Sequence, residues 1–191
     1  MMPHSTRYLI VPGWQGSPAE HWQSHWQKVL PDCSRVEQKD WMLPNRQAWI
    51  AELECQIAKD RRPVILIAHS LGCVTVALWA AQAAPALLQQ VQGALLVAPA
   101  DVERQDCPEP LRNFAPITEK PLPFPGFVVG SSNDHAATAQ RALQFAHWWG
   151  CDSVILPQAG HINVDSGFHR WEQGFNWLYK LQERADYQHI A

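Results

Sequence analysis

Short apolar runs alternate with longer amphipathic segments along most of this chain. Each run is continuous rather than interrupted by polar residues, and continuous apolar strands belong to parallel sheets that are covered on both faces. The alternation is typical of βα units. The sequence therefore predicts an α/β fold with a mostly parallel sheet of five or six strands and helices on both faces. The runs cover residues 8–11, 64–68, 94–98, 126–130 and 153–156, with a weaker strand at 35–38.

Composition sets the size of the fold and limits its partners. The 191 residues are enough for one sizeable core, so we expect a single domain spanning 1–191. Hydrophobic residues make up 47% and charged residues 17%, which does not favour disorder. The net charge is -3 and no dense basic cluster is present, so nucleic acid is not an expected partner.

The cysteines and the hydrophobic segments bear on localisation. The five cysteines are widely spaced and form no C-x-x-C pair, which favours a reducing compartment over a disulfide or zinc framework. The N-terminus has no signal-peptide core, and no apolar stretch approaches the roughly 18 residues of a membrane helix. We therefore expect a soluble cytoplasmic protein with no membrane partner.

Capping and stop residues predict the helices. Ser17 followed by Pro18 and a glutamate at position 20 predicts a first helix that runs to about Leu30. Asn45 is expected to cap a second helix that ends near Lys59. The other helices are predicted after Ser70, over about 135–149 with Gly150 as its stop, and over about 168–184. The proline-rich segment 99–125 is expected to be either a functional loop or irregular surface.

One apolar run ends in a serine flanked by small residues and leads into a helical pattern. The segment 68–72, Ala-His-Ser-Leu-Gly, resembles the G-x-S-x-G nucleophile elbow, with alanine in place of the first glycine. In an elbow, Ser70 occupies a sharp strand-to-helix turn that exposes its hydroxyl. The simpler interpretation is a buried strand followed by a serine that caps a helix.

A serine nucleophile needs a histidine to take its proton and a carboxylate to orient that histidine. Asp134 and His161 follow later strands in the chain order that α/β-hydrolases use. Taken separately, Asp134 can be a helix cap and His161 an ordinary loop histidine. Asp101 is a rival acid because it follows the strand at 94–98, and His135 is an alternative base.

Acyl transfer also needs amide donors for the oxyanion. We expect these donors to be the backbone amides of Leu71 and Trp14, the latter in the glycine-containing turn 11–17. That turn lacks the lysine of a phosphate-binding loop, so no nucleotide or other cofactor is expected. His21 and His25 have a metal-compatible spacing but lack the glutamate of H-E-x-x-H, so we expect no metal and interpret them as a surface pair.

Several blocks together resemble the small serine hydrolases related to a retinoblastoma-binding protein, also called YdeN-like. They are Val11-Pro12-Gly13-Trp14 with His21-Trp22, the segment 68–72, Val97-Ala98-Pro99, Ser131-Ser132-Asn133-Asp134, and Gly160-His161-Ile162-Asn163. The resemblance implies a compact α/β-hydrolase fold without a large cap domain and a triad of Ser70, Asp134 and His161. The L-x-C-x-E motif behind the retinoblastoma label is incomplete because Ile57 occupies its glutamate position, so this partner is not expected.

The leading hypothesis is a cofactor-independent serine hydrolase that cleaves a small ester, thioester or amide through an acyl-enzyme. The alternative is a protein-interaction module on a hydrolase scaffold with vestigial activity, because a fold does not guarantee its function.

Overall fold

The sheet has six strands, all parallel. The computed structural model describes residues 6–190. The strands are β1 (Arg7–Val11), β2 (Cys33–Arg35), β3 (Val64–His69), β4 (Val91–Val97), β5 (Gly126–Ser131) and β6 (Asp152–Leu156). Their order in the sheet is β2-β1-β3-β4-β5-β6, which places β3 and β4 at the centre. The predicted parallel α/β sheet is confirmed.

Helices cover both faces of this sheet. They are α1 (Trp22–Val29), α2 (Arg46–Ala58), α3 (Leu71–Ala80), α4 (Pro85–Leu88), α5 (Ala139–Trp149) and α6 (Phe175–Ile190). Successive side chains of a strand point to opposite faces, so Leu9 and Val11 pack with α2, α3 and α5, whereas Tyr8 and Ile10 pack with α1 and α6. The fold therefore has two buried apolar layers, one on each face of the sheet.

Three helix starts differ from the sequence prediction, and capping explains two of them. Helix α1 begins at Trp22 rather than Pro18, because the Ser17 hydroxyl donates to the Gln23 side chain and His21 caps the helix instead. Helix α5 begins at Ala139 rather than near residue 135, because Thr138 accepts from the amide of Arg141 at the first turn.

The remaining boundaries agree to different degrees. The last helix begins at Phe175, after a short 3₁₀ helix at Glu172–Gly174, rather than near residue 168. Strand β2 covers 33–35 rather than 35–38, and β4 begins three residues earlier than predicted. The Asn45 cap of α2 and the stop of α5 at Gly150, which has a φ of 67°, agree with the sequence.

The carboxyl ends of the strands share one edge, where open α/β sheets bind ligands. The connections after β1, β3, β4, β5 and β6 all meet at this edge. The segment 99–125 contributes one 3₁₀ helix, Glu109–Phe114, whose Leu111 and Phe114 are buried. No cap of helices is built on this edge by the described residues. Of the helices in the described part of the chain, none has the length and apolarity needed to cross a bilayer.

Candidate active site

Ser70 lies in a constrained turn between β3 and α3. Its φ of 55° and ψ of -119° fall in a region that L-residues rarely adopt. Although Ser70 precedes α3, its side chain makes no capping hydrogen bond to the helix. The simpler interpretation of this serine as a helix cap is therefore wrong, and its hydroxyl is available for other contacts.

Two glycines permit this turn. A Cβ on Gly72 would lie 2.3 Å from the Val11 carbonyl oxygen, and one on Gly13 would lie 2.8 Å from the Ser70 Cβ. Both distances are too short for any other residue without backbone movement. The loop after β1 and the start of α3 therefore approach each other directly beside Ser70.

The three residues predicted to act together do lie together. The Ser70 hydroxyl donates to His161 Nε2 over 2.9 Å, and His161 Nδ1 donates to Asp134 Oδ1 and Oδ2 at 2.9 and 3.0 Å. The Asp134 side chain is 3% exposed and that of His161 is 11% exposed. Because a carboxylate can only accept, His161 carries its proton on Nδ1. The other ring nitrogen, Nε2, is therefore unprotonated and accepts from the Ser70 hydroxyl.

Polar residues after β5 hold the loop that carries His161. Ser131 Oγ accepts from the amide of Ala159 at 3.1 Å, and Asn133 Oδ1 accepts from the amide of Gly160 at 2.7 Å. The Ser131 hydroxyl also donates to Asn133 Oδ1. The block that carries Asp134 therefore also positions the backbone immediately before His161.

Two further contacts hold the same loop from the other side. The indole N–H of Trp22 donates to the Ile162 carbonyl oxygen over 2.9 Å, and His69 Nε2 donates to the His161 carbonyl oxygen over 2.9 Å. Within the loop, Ser166 Oγ accepts from the amide of His161. The position of the imidazole is thus fixed by both neighbouring elements.

Among the described residues, the rival acid Asp101 and the alternative base His135 make no hydrogen bond to Ser70 or His161. Asp101 accepts from the amide of Glu103 and forms an ion pair with Arg141, with 3.2 Å between Oδ2 and Nε. Asp152 pairs with Arg184 at the start of β6. His135 is exposed, and its ring centroid lies 5.0 Å from that of His161. The structure therefore brings Asp134 to His161, and not Asp101.

The predicted oxyanion amides lie on the two segments that flank Ser70. Leu71 is the first residue of α3, whose N–H has no acceptor within its own helix. Trp14 follows Gly13, which contacts the Ser70 turn. Among the hydrogen bonds of residues 6–190, neither backbone N–H donates to a protein group. Both amides are thus free for an external acceptor.

The interpretation of His21 as half of a surface pair is wrong. His21 is 3% exposed and its Nδ1 accepts from the amide of Gln23 at 3.1 Å. Burial, with smaller contributions from Arg35 and His161, lowers the pKa of His21 to about 3. One signal for this position was available, because His21 stands directly before Trp22, which is fully buried.

Neighbouring His69 is also buried. Burial is the main cause that lowers its pKa, and the neighbouring histidines His21 and His161 add to this effect. Its ring centroid lies 4.8 Å from that of His21 and 4.9 Å from that of His161. Three imidazoles are thus packed in a row beside Ser70.

A cavity of about 540 Å³ opens over these residues. Its walls come from the loops after β1, β4, β5 and β6, and they combine apolar, aromatic and polar groups. Among the described residues, no group of three or more His, Cys, Asp or Glu side chains is arranged to hold a metal ion. The residues that line the cavity are Trp14, Gln15, Gly16, Pro18, His21, His69, Ser70, Ala100, Arg104, Pro108, Leu111, His135, Ala136, His161, Asn163, Val164 and Asp165.

Comparison with known proteins agrees with this arrangement. The sequence profile of a family described as serine hydrolase matches residues 8–180. The chain belongs to the serine hydrolase family. A comparison of this serine hydrolase with curated proteins gave no match.

Solved structures similar to this serine hydrolase include a protein described as a YdeN-like hydrolase from Pectobacterium atrosepticum SCRI1043. It is 31% identical, with a TM-score of 0.77, and the match covers 97% of this chain and 91% of that chain. The ydeN gene product of B. subtilis is 18% identical, with a TM-score of 0.70 and coverage of 93% and 98%. Est1E from Butyrivibrio proteoclasticus, solved with ferulic acid bound, is 15% identical with a TM-score of 0.64 and coverage of 93% and 91%. The expected YdeN-like relationship and α/β-hydrolase fold are confirmed.

Proposed function

We propose that this hydrolase cleaves a small ester, thioester or amide through a covalent acyl-enzyme on Ser70. The observation that carries the proposal is the hydrogen-bonded series from Ser70 Oγ through His161 to Asp134, at the floor of an open cavity. A serine hydroxyl is a weak nucleophile unless a base takes its proton as it attacks. His161 Nε2 has the position and the tautomer for that task.

In the first half of the reaction, Ser70 Oγ attacks the substrate carbonyl carbon while its proton moves to His161 Nε2. The carbonyl π electrons move to the oxygen and form a tetrahedral oxyanion. This oxyanion collapses, the bond to the leaving group breaks, and the leaving group takes the proton from His161. Asp134 stabilises the imidazolium between these two events. Water then repeats the sequence on the acyl-enzyme and restores the Ser70 hydroxyl.

The backbone amides of Leu71 and Trp14 are proposed to stabilise the oxyanion. Both flank the nucleophile and neither donates within the described protein, so both can donate to an oxygen that becomes negative. Preorganised donors of this kind typically contribute about 10²–10³-fold each to the rate. The small residues at positions 13 and 72 are needed because they allow these amides to approach the reacting carbon.

A fluorophosphonate probe and p-nitrophenyl acetate test the proposal together. The folded protein should form a covalent adduct on Ser70 and hydrolyse the ester, and Ser70→Ala should lose both. Ser34→Ala, at an exposed serine of β2, serves as the matched control and should behave like the natural protein. Ester turnover that survives Ser70→Ala unchanged would contradict the mechanism and favour an interaction module on the same scaffold.

A further inference from the structure

His21 is a buried histidine that the proposed reaction does not use. Its Nδ1 accepts a hydrogen bond from the amide of Gln23 at the start of α1, so that nitrogen carries no proton. A neutral imidazole with an unprotonated Nδ1 carries its proton on Nε2. The helix cap therefore fixes the tautomer of His21 and makes Nε2 a hydrogen-bond donor.

The ring also stays neutral. The ring is 3% exposed, and it lies at the positive end of the α1 dipole, which disfavours protonation of the imidazole. Burial and the nearby Arg35 favour the same outcome. His21 thus presents a neutral N–H donor, and it does so without the desolvation that an imidazolium would require.

This donor faces the cavity. His21 lines the same cavity as Ser70 and His161, and no described residue accepts from its Nε2. Among the side chains of residues 6–185, the buried nitrogens and oxygens without a partner are all arginine Nε atoms, so His21 Nε2 retains access to solvent. The cavity is the solvent space available to it. In the row of three imidazoles, His69 Nε2 and both ring nitrogens of His161 already have partners within the protein.

We propose that His21 Nε2 donates a hydrogen bond to an oxygen atom of the substrate acyl group. The inference rests on the proposed function and narrows it to esters, thioesters or amides of oxygen-bearing acids. The His69 ring packs against both His21 and His161, which places His21 one ring away from the nitrogen that protonates the leaving group. His21 lies in the same segment between β1 and α1 as Trp14, whose amide is proposed to hold the acyl oxygen, and on this ground we assign His21 to the acyl side of the cavity.

The physical basis is the cost of an unmade hydrogen bond. An alkyl chain that covers His21 Nε2 removes its water and offers no acceptor, whereas an ether, hydroxyl or carbonyl oxygen replaces that water. A site built around a buried donor discriminates against analogues that lack the acceptor. The expected preference is on the order of tenfold in kcat/KM.

Two pairs of esters of matched length measure this preference. p-Nitrophenyl methoxyacetate is compared with the butyrate, and the 3-methoxypropanoate with the pentanoate, so that the oxygen is sampled at two positions. Each ratio of kcat/KM is divided by the ratio of the alkaline hydrolysis rates of the same two esters. This division removes the difference in their intrinsic reactivity. The natural protein should favour the oxygen-containing ester about tenfold in at least one pair.

Two variants separate recognition from helix capping. His21→Gln keeps an N–H donor near the Nε2 position but loses the cap, whereas His21→Asn keeps a capping acceptor but is too short to place its N–H group at the Nε2 position. The preference should persist in His21→Gln and fall about tenfold in His21→Asn. The thermal midpoint should show the opposite order, with His21→Gln the less stable variant.

The outcomes distinguish this inference from the proposed function. If the natural protein shows no corrected preference in either pair, or if His21→Asn keeps it, the role of His21 is structural and the inference is overturned. That result leaves the proposed function intact as long as hydrolysis of all four esters depends on Ser70. Loss of the Ser70 dependence overturns both.

Discussion

At the residue scale, Ser70 illustrates how a strained backbone is maintained. Its φ of 55° belongs to a region that costs on the order of 1–3 kcal/mol for a non-glycine residue. The turn persists because β3 and α3 are buried on both sides of it, and because Gly13 and Gly72 carry no Cβ that would clash with the neighbouring backbone. The strain places the hydroxyl toward His161 instead of toward the helix.

Asp134→Asn tests the orientation of the imidazole at this scale. The amide of an asparagine can donate to His161 Nδ1, which would move the proton to Nε2 and leave no acceptor for the Ser70 hydroxyl. We expect kcat/KM for p-nitrophenyl acetate to fall by about 10³–10⁴-fold without loss of fold. Asp101→Asn is the control, since Asp101 pairs with Arg141, and its loss should stay below about tenfold. A larger loss in the control would identify Asp101 as the functional acid.

At the element scale, the loops after β5 and β6 act as one unit. Three consecutive side chains at the end of β5, those of residues 131–133, accept from the backbone amides of residues 158–160, and Asp134 follows directly. The side chain that orients His161 and the side chains that hold its backbone thus come from one short segment. A shift of either loop displaces the imidazole from Ser70.

Substitution of Asn133 tests this coupling. Asn133→Leu keeps the approximate shape but removes the acceptor of the Gly160 amide, whereas Asn133→Asp keeps an acceptor at the same place. Because a misplacement of about 1 Å can cost 10²-fold, kcat should fall by about 10–100-fold in Asn133→Leu. Asn133→Asp should stay closer to the natural rate. The measurement is kcat from steady-state kinetics with p-nitrophenyl acetate. Equal kcat values for Asn133→Leu and Asn133→Asp would refute the coupling.

Sequence patterns predicted the elements better than their first residues. Short apolar runs such as 64–68 correctly predicted buried strands. Because Ser70, Asp134 and His161 each follow a strand of a parallel sheet, the sequence also predicted that they lie at one edge of that sheet. The start of α1 was missed because Ser17 is a good cap in isolation but bonds to Gln23 in the folded chain. The burial of His21 was missed because it depends on packing between α1 and His69, and the spacing of residues in the sequence does not reveal such packing.

At the scale of the whole molecule, burial of His21 and His69 links stability to pH. Both have a folded-state pKa below the ordinary histidine value of 6.5, that of His21 at about 3, with burial as the main cause. Below about pH 6.5 the unfolded chain binds protons that the folded protein excludes. The free energy of unfolding therefore rises with pH through this window and falls on acidification from pH 6.5 toward pH 3.

Urea unfolding at about pH 7.5 and 5.5 measures this linkage. Each of the two histidines should remove about 1.4 kcal/mol of the unfolding free energy between these values. His69→Gln keeps a donor for the His161 carbonyl oxygen and should show the smaller loss on acidification. His147→Gln, at an exposed position of α5, should lose as much as the natural protein. An identical loss in all three proteins would exclude His69 as a source of the effect.

The hydrogen bond between Ser70 and His161 joins residues that are 91 positions apart, and the second of them follows β6, the last strand. During synthesis on the ribosome, Ser70 therefore emerges well before His161. If His161 activates Ser70 as proposed, a chain that ends before β6 carries the serine without its base. We therefore expect recovery of ester hydrolysis after dilution from denaturant to report the docking of β6 and the loop that follows it.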